Sequence, residues 1–154
     1  MRWIALPLVV LMVSAGCAPS AEEQAQAAAA AAAAAEDSLL ATAVAAYDAS
    51  AFDTLTWETP EKRLEYGGVV YVSSCSRCHG REGLGDAGFV RGGDTLRPPS
   101  FKEPTWRMAG NAEAIREAIF IGTAEGMPHW GLEGLKPGPV DAVTAYILNG
   151  LGGN

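Results

Sequence analysis

The sequence predicts an all-α fold: a small domain of short helices, preceded by an export signal and an alanine-rich tether. Three observations carry this. Apolar residues recur at helical spacing in three stretches of residues 60–154, and no alternating strand pattern appears. About thirty residues between the first two helices are full of Gly and Pro, which favours loop. The domain is only 95 residues long. Three short helices of that size hold little apolar mass, so something besides side chains should fill the centre.

Charge divides the chain in the same way. The 154 residues carry 18 acidic and 11 basic groups, a formal charge of −7. Residues 17–59 hold seven of the acids, no Lys or Arg, and 18 alanines. Residues 60–154 hold eleven acids and ten bases, net −1. This excludes a basic nucleic-acid-binding domain, and no nucleic-acid partner is expected.

Residues 1–16 read as a lipoprotein signal peptide. Arg2 gives a positive start, Ile4 to Val13 is an apolar run, and small residues follow. The run is about ten residues, against the roughly 20 a spanning helix needs. Ser14-Ala15-Gly16-Cys17 resembles a bacterial lipobox, which makes Cys17 the lipidated residue; Ser14 stands where Leu or Val is commoner. The alternative is a plain signal peptide cleaved near Gly16 or Ala21. Residues 17–59 form the tether. Ser20 followed by Glu23 fits a capping box, and nine alanines, Ala27 to Ala35, favour helix. A helix over 21–48 would be about 42 Å long. Leu40, Val44 and Tyr47 give its end one apolar stripe, either solvated or docked on a partner.

Thr59-Pro60-Glu61 starts the first domain helix: a hydroxyl cap, Pro in the first turn, and an acid at the positive end of the dipole. Leu64, Gly67/Gly68, Tyr71 and Cys75 share one face. Asn111 caps a second helix with Ile115, Ile119 and Phe120 inward, stopped by Gly122. A third begins near Pro139, carries Val143, Tyr146, Ile147 and Leu151, and stops at Gly152-Gly153.

Cys75-Ser76-Arg77-Cys78-His79 is C-x-x-C-H, the c-type haem attachment pattern. Two thiols at this spacing on a helical turn can each add to a haem vinyl group, and the next imidazole then lies beneath the iron. A covalently held porphyrin would be the missing core. The rivals have weaker support. A thioredoxin-type pair expects a βαβ context. A structural zinc needs four ligands, and His79 and His129 do not form the usual H-x(3–5)-H pair. A Cys75–Cys78 disulfide closes too short a loop to stabilise much. The glycines at 80, 83, 85 and 88 follow a helix rather than a strand, so they are not a dinucleotide fingerprint. One lipidated Cys and two haem-bound Cys would use all three thiols.

Residues 60–151 resemble the class I monohaem cytochromes c. That family has a Gly eight residues and an aromatic four residues before the first haem Cys; here these are Gly67 and Tyr71. The resemblance implies a class I cytochrome c fold, with the first helix crossing the last at Gly67 and with Tyr146 and Ile147 as the matching apolar pair. It implies one haem c bound through Cys75 and Cys78, with His79 as proximal ligand. Gly126-Met127-Pro128-His129-Trp130 looks like the family's sixth-ligand loop, which assigns Met127 to the iron and raises the potential. Met108 lacks such a frame and reads as a gap filler beside the porphyrin. His129 is the rival ligand, read instead as a solvent-edge residue. Leu96-Arg97-Pro98-Pro99-Ser100-Phe101 is similar to the segment whose Pro carbonyl accepts the proximal imidazole N–H, with Pro99 preferred over Pro98. Arg97, Arg107, Trp106 and Trp130 are candidate donors to the propionates.

With two protein ligands on the iron, the expected function is one-electron Fe(II)/Fe(III) cycling in a respiratory chain, without a small-molecule substrate and without an enzyme's open site. A haem enzyme or gas sensor would need a labile sixth ligand and would bind CO rapidly when reduced. Lipobox, tether, single domain and ligand loop together resemble the lipoprotein monohaem subunits of alternative complex III, a quinol-oxidising complex. They are also similar to free-standing lipid-anchored cytochromes that donate to terminal oxidases. Redox proteins of a membrane complex are the expected partners. The expected location is the periplasmic side of the bacterial cytoplasmic membrane; Ala18 after the lipid Cys would favour outer-membrane sorting in some bacteria.

Overall fold

The computed structural model describes residues 19–91 and 93–151. The signal peptide, Cys17 and the Gly152-Gly153 stop lie outside the described residues. The described residues divide into two units, one ending at Ala35 and the other beginning at Glu36.

Helix α1 runs Ala21–Ala46. Its start is the expected capping box: Glu23 N–H donates to Ser20 Oγ at 3.2 Å, and Ser20 N–H donates to the Glu23 carboxylate at 2.7 Å. Residues 19–35 are all exposed. By length and composition alone α1 could cross a membrane.

In the second unit, the last turns of α1 bury Ala43 and half-bury Glu36, Leu40 and Tyr47. Val44, expected in the stripe, is 53% exposed. The inward face follows 36, 40, 43 and 47, because a helical face advances by either three or four residues. A 3-10 turn, Ala49–Phe52, is capped by Asp48, whose carboxylate accepts from Ser50 N–H at 3.0 Å. Phe52 is buried, and Tyr47 packs between it and Phe120, at 6.0 and 5.5 Å between ring centroids. The compact unit thus begins at Glu36, earlier than the residue 60 expected from composition.

Helix α2 (Pro60–Val70) starts as expected, with Thr59 Oγ1 accepting from Lys62 N–H at 3.2 Å. A π-turn (Tyr71–Cys75) and short α3 (Ser76–His79) continue it. Contrary to the strand-free expectation, Phe89–Arg91 (β1) and Asp94–Leu96 (β2) form a small antiparallel hairpin, with Arg91 opposite Asp94. The two residues between those partners are glycines, the composition a tight hairpin loop prefers. Among the described residues the content nonetheless is 56% helix and 4% strand, so the fold remains all-α. Helix α4 (Ala112–Ile121) is capped by Asn111, which accepts from Ala114 N–H at 3.0 Å. Helix α5 runs Pro137–Asn149, two residues earlier than expected, because Pro137 occupies its first position.

The core lies where α2 crosses α5. A Cβ on Gly67 would collide with the Ala142 carbonyl and lie 2.9 Å from Tyr146 Cβ. Glycine therefore lets the two backbones touch, which explains an otherwise unfavourable residue in a helix. Tyr71 and Tyr146 meet beside it at 5.5 Å. A buried carboxylate ties the elements together. Asp141, 3% exposed, accepts from Arg63 at 2.7 Å, Arg116 at 2.6 Å and the Trp57 indole at 2.8 Å.

Candidate haem site

The helical run Pro60–His79 delivers the two thiols and the imidazole. Its π-turn ends on Cys75, the first residue of the motif, a register change frequent at functional sites. Cys75 is buried and Cys78 half-buried, three residues apart, and both are free thiols. Burial, with a smaller contribution from Cys78, pushes the Cys75 thiol up to about 12. Burial also pushes His79 down to about 4, so its imidazole is neutral at pH 7, the form that binds metal.

The glycine-rich segment after the motif folds back on it. Gly85 N–H donates to His79 O at 2.8 Å and Gly88 N–H to Cys78 O at 3.2 Å. Tyr71 Oη donates to Gly80 O at 2.7 Å. Its hydroxyl is buried, and that burial raises its pKa. Phe101 N–H donates to Gly83 O at 2.8 Å. This sets the Phe101 ring against His79, stacked at 4.6 Å, with Trp106 tilted against it at 4.8 Å. Phe101 is the residue whose contact with His79 sequence reasoning missed, although its Pro-Pro-Ser-Phe segment was recognisable.

His79 Nδ1 is buried without a hydrogen-bond partner, so the bond to a Pro98 or Pro99 carbonyl is not formed here. The Pro98 carbonyl instead packs against Gly85, and Pro99 is exposed. Trp106 is buried, and its indole N–H also lacks a partner. Arg97 is exposed and donates weakly to Asp86 O at 3.4 Å; Arg107 is exposed. Met127, Met108 and Trp130 are half-buried and packed against the hydrophobic core. His129 is not at the solvent edge: its side chain is 12% exposed, and Nδ1 donates to the Ile121 carbonyl.

The donor set fits a c-type haem. It contains two adjacent thiols on one helical turn, a neutral unpartnered imidazole, a thioether on the same core, and an unpartnered buried indole N–H. Among the described residues no group of three or more His, Cys, Asp or Glu could hold a bare metal ion. A cavity of about 220 Å³, lined by Tyr47, Phe52, Phe120 and Leu135, contains none of these donors.

Residues 62–147 match the family described as cytochrome c oxidase, cbb3-type, subunit III. No solved structure matches the chain. The family match covers more than half of the 154 residues and encloses the Cys75–His79 motif, the Gly126–Trp130 segment and most of both crossing helices. The chain belongs to this family: it is a class I c-type cytochrome, an electron carrier with covalently bound haem c.

Proposed function

We propose that Cys75 and Cys78 would hold the haem through thioethers and that His79 and Met127 would be the ligands of its iron. The haem supplies one-electron Fe(II)/Fe(III) cycling. The chain's own residues supply the rest. The Gly80–Gly88 segment and Phe101 fix the motif and the imidazole plane. Trp106 and Trp130 shield the site, Trp106 with a free donor for a propionate, and Arg97 is a second donor from the surface. The Pro99 segment bounds the proximal side. The observation that carries this reading is that one hydrophobic core takes in the buried Cys75, Met127 and the Phe101 ring stacked on His79, whose Nδ1 has no partner. An oxidised spectrum of the full-length protein tests it. The expected far-red sulfur-to-iron charge-transfer band would be absent if Met127 were not a ligand.

The same reading places the carrier on a membrane. Residues 1–16 direct export, and Cys17 takes the lipid. Residues 17–35 are the tether, shorter than composition implied because the compact unit starts at Glu36. Helix α1 is a poor spanning segment despite its length. Between Glu23 and Glu36 only twelve residues are uncharged. They cover about 18 Å, against a hydrocarbon core of roughly 30 Å. The carrier then serves a respiratory chain from the periplasmic side of the cytoplasmic membrane, as a subunit of a quinol-oxidising complex such as alternative complex III. The family description, which names an oxidase subunit, favours a second reading: donation to a terminal oxidase. Extraction in mild detergent separates them. Co-purification with multihaem and quinone-binding subunits supports the first, co-purification with an oxidase or extraction alone the second.

A further inference from the structure

The loop that carries Met127 is held by more than its own backbone. Helix α4 has no basic residue in its last turn. Its final carbonyls are taken by later residues. Gly122 N–H donates to Ala118 O at 2.9 Å, Gly131 N–H to Phe120 O at 3.0 Å, and the His129 ring Nδ1 to Ile121 O. A side-chain donor at a helix C-terminus satisfies a carbonyl that the helix itself leaves unpaired. The other ring nitrogen, Nε2, is buried without a hydrogen-bond partner, and the Glu36 carboxylate on α1 lies 3.6 Å from it. One imidazole therefore touches the end of α4 and the last turns of α1, from a position two residues after Met127.

The backbone between these points has little slack. Thr123 N–H donates to Met127 O at 3.2 Å. Gly122 has φ +86°, and a Cβ there would lie 2.7 Å from Met127 O and 2.8 Å from His129 Nδ1. Only glycine lets α4 end and the loop return at this spacing.

We propose that His129 is the positioning residue for the sixth ligand, which rests on the reading of Met127 as that ligand. His129 does not compete for the iron, because Nδ1 is committed to the Ile121 carbonyl and Nε2 faces Glu36. It pins the loop so that the Met127 thioether has one place to be.

The test uses the full-length haem-loaded protein. The wild type should show the far-red band and resist CO when reduced. His129→Ala should keep its covalent haem and helix content. Its CO-binding fraction should rise about fivefold, the factor expected from losing one hydrogen bond, and its far-red band should disappear at lower denaturant. His129→Asn, whose amide nitrogen can stand in for Nδ1, should restore both. Wild-type CO binding in His129→Ala, or no rescue by His129→Asn, overturns the proposal. If His129→Ala does not fold, His129→Leu carries the test, since it keeps most of the side-chain bulk and removes the donor. CO binding above wild type supports the positioning role, and CO binding equal to wild type overturns it. A wild type without the far-red band, unchanged by Met127→Ala, overturns the Met127 reading itself.

Discussion

Burial acts in opposite directions on the two groups that define the site. It keeps the Cys75 thiol protonated at neutral pH, and it keeps the His79 imidazole neutral, with a lone pair for a metal. Replacing both Cys75 and Cys78 by Ser should abolish covalent haem, seen as loss of haem staining on a denaturing gel; each single variant should retain one thioether. Trp106→Phe isolates the unpartnered indole N–H. The ring can keep its contact with Phe101, so stability should change by no more than about 1 kcal/mol. A propionate that loses this donor carries its charge less well screened, which favours Fe(III), so the reduction potential should fall. Potentiometric titration beside a melting curve checks both. The attachment motif and the ligand loop were readable because their residues are contiguous. The Phe101–His79 stack and the Glu36–His129 contact were not, because each joins residues tens of positions apart with no periodic signal.

Helix ends obeyed local chemistry, and helix contacts only partly did. The caps at Ser20, Thr59 and Asn111 all form as their residue types dictate. Gly67 marked the α2–α5 crossing because an interior glycine needs a reason. Gly67→Ala should cost about 1–3 kcal/mol, measured by denaturant unfolding, since the new Cβ meets the Ala142 backbone rather than a movable side chain. The Asp141 cluster was illegible by the same logic in reverse. Its partners lie 84, 78 and 25 residues away, on the segment before α2, on α2 and on α4. Asp141→Ala would leave two arginines facing each other without their carboxylate. It should cost about 3 kcal/mol in the same assay, with little change in the haem spectrum.

For the molecule as a whole, composition misplaced the boundary between tether and domain. Residues 36–59 are acidic and Ala-rich, yet Tyr47, Phe52 and Trp57 pack or hydrogen-bond onto the cytochrome fold, with Phe52 under the Arg116 guanidinium at 5.1 Å. A few aromatic anchors outweigh an otherwise solvated composition. A mature chain begun at Glu36 should therefore melt like the full protein, and one begun at Pro60 should melt lower. The boundary also moves charge. Residues 36–154 hold sixteen acidic and ten basic groups, net −6, rather than the near-neutral domain inferred from residues 60–154. Electron exchange with a cationic ruthenium ammine should slow as salt is added, and exchange with ferricyanide should quicken.

The most direct test of the account is the ligand field of the iron in the native protein. Optical spectra of the oxidised form, with CO added to the reduced form, should show the far-red sulfur-to-iron band, no rapid CO adduct at neutral pH, and loss of the band in Met127→Ala. A native spectrum without that band, or immediate CO binding, would contradict an electron carrier with His79 and Met127 on its iron.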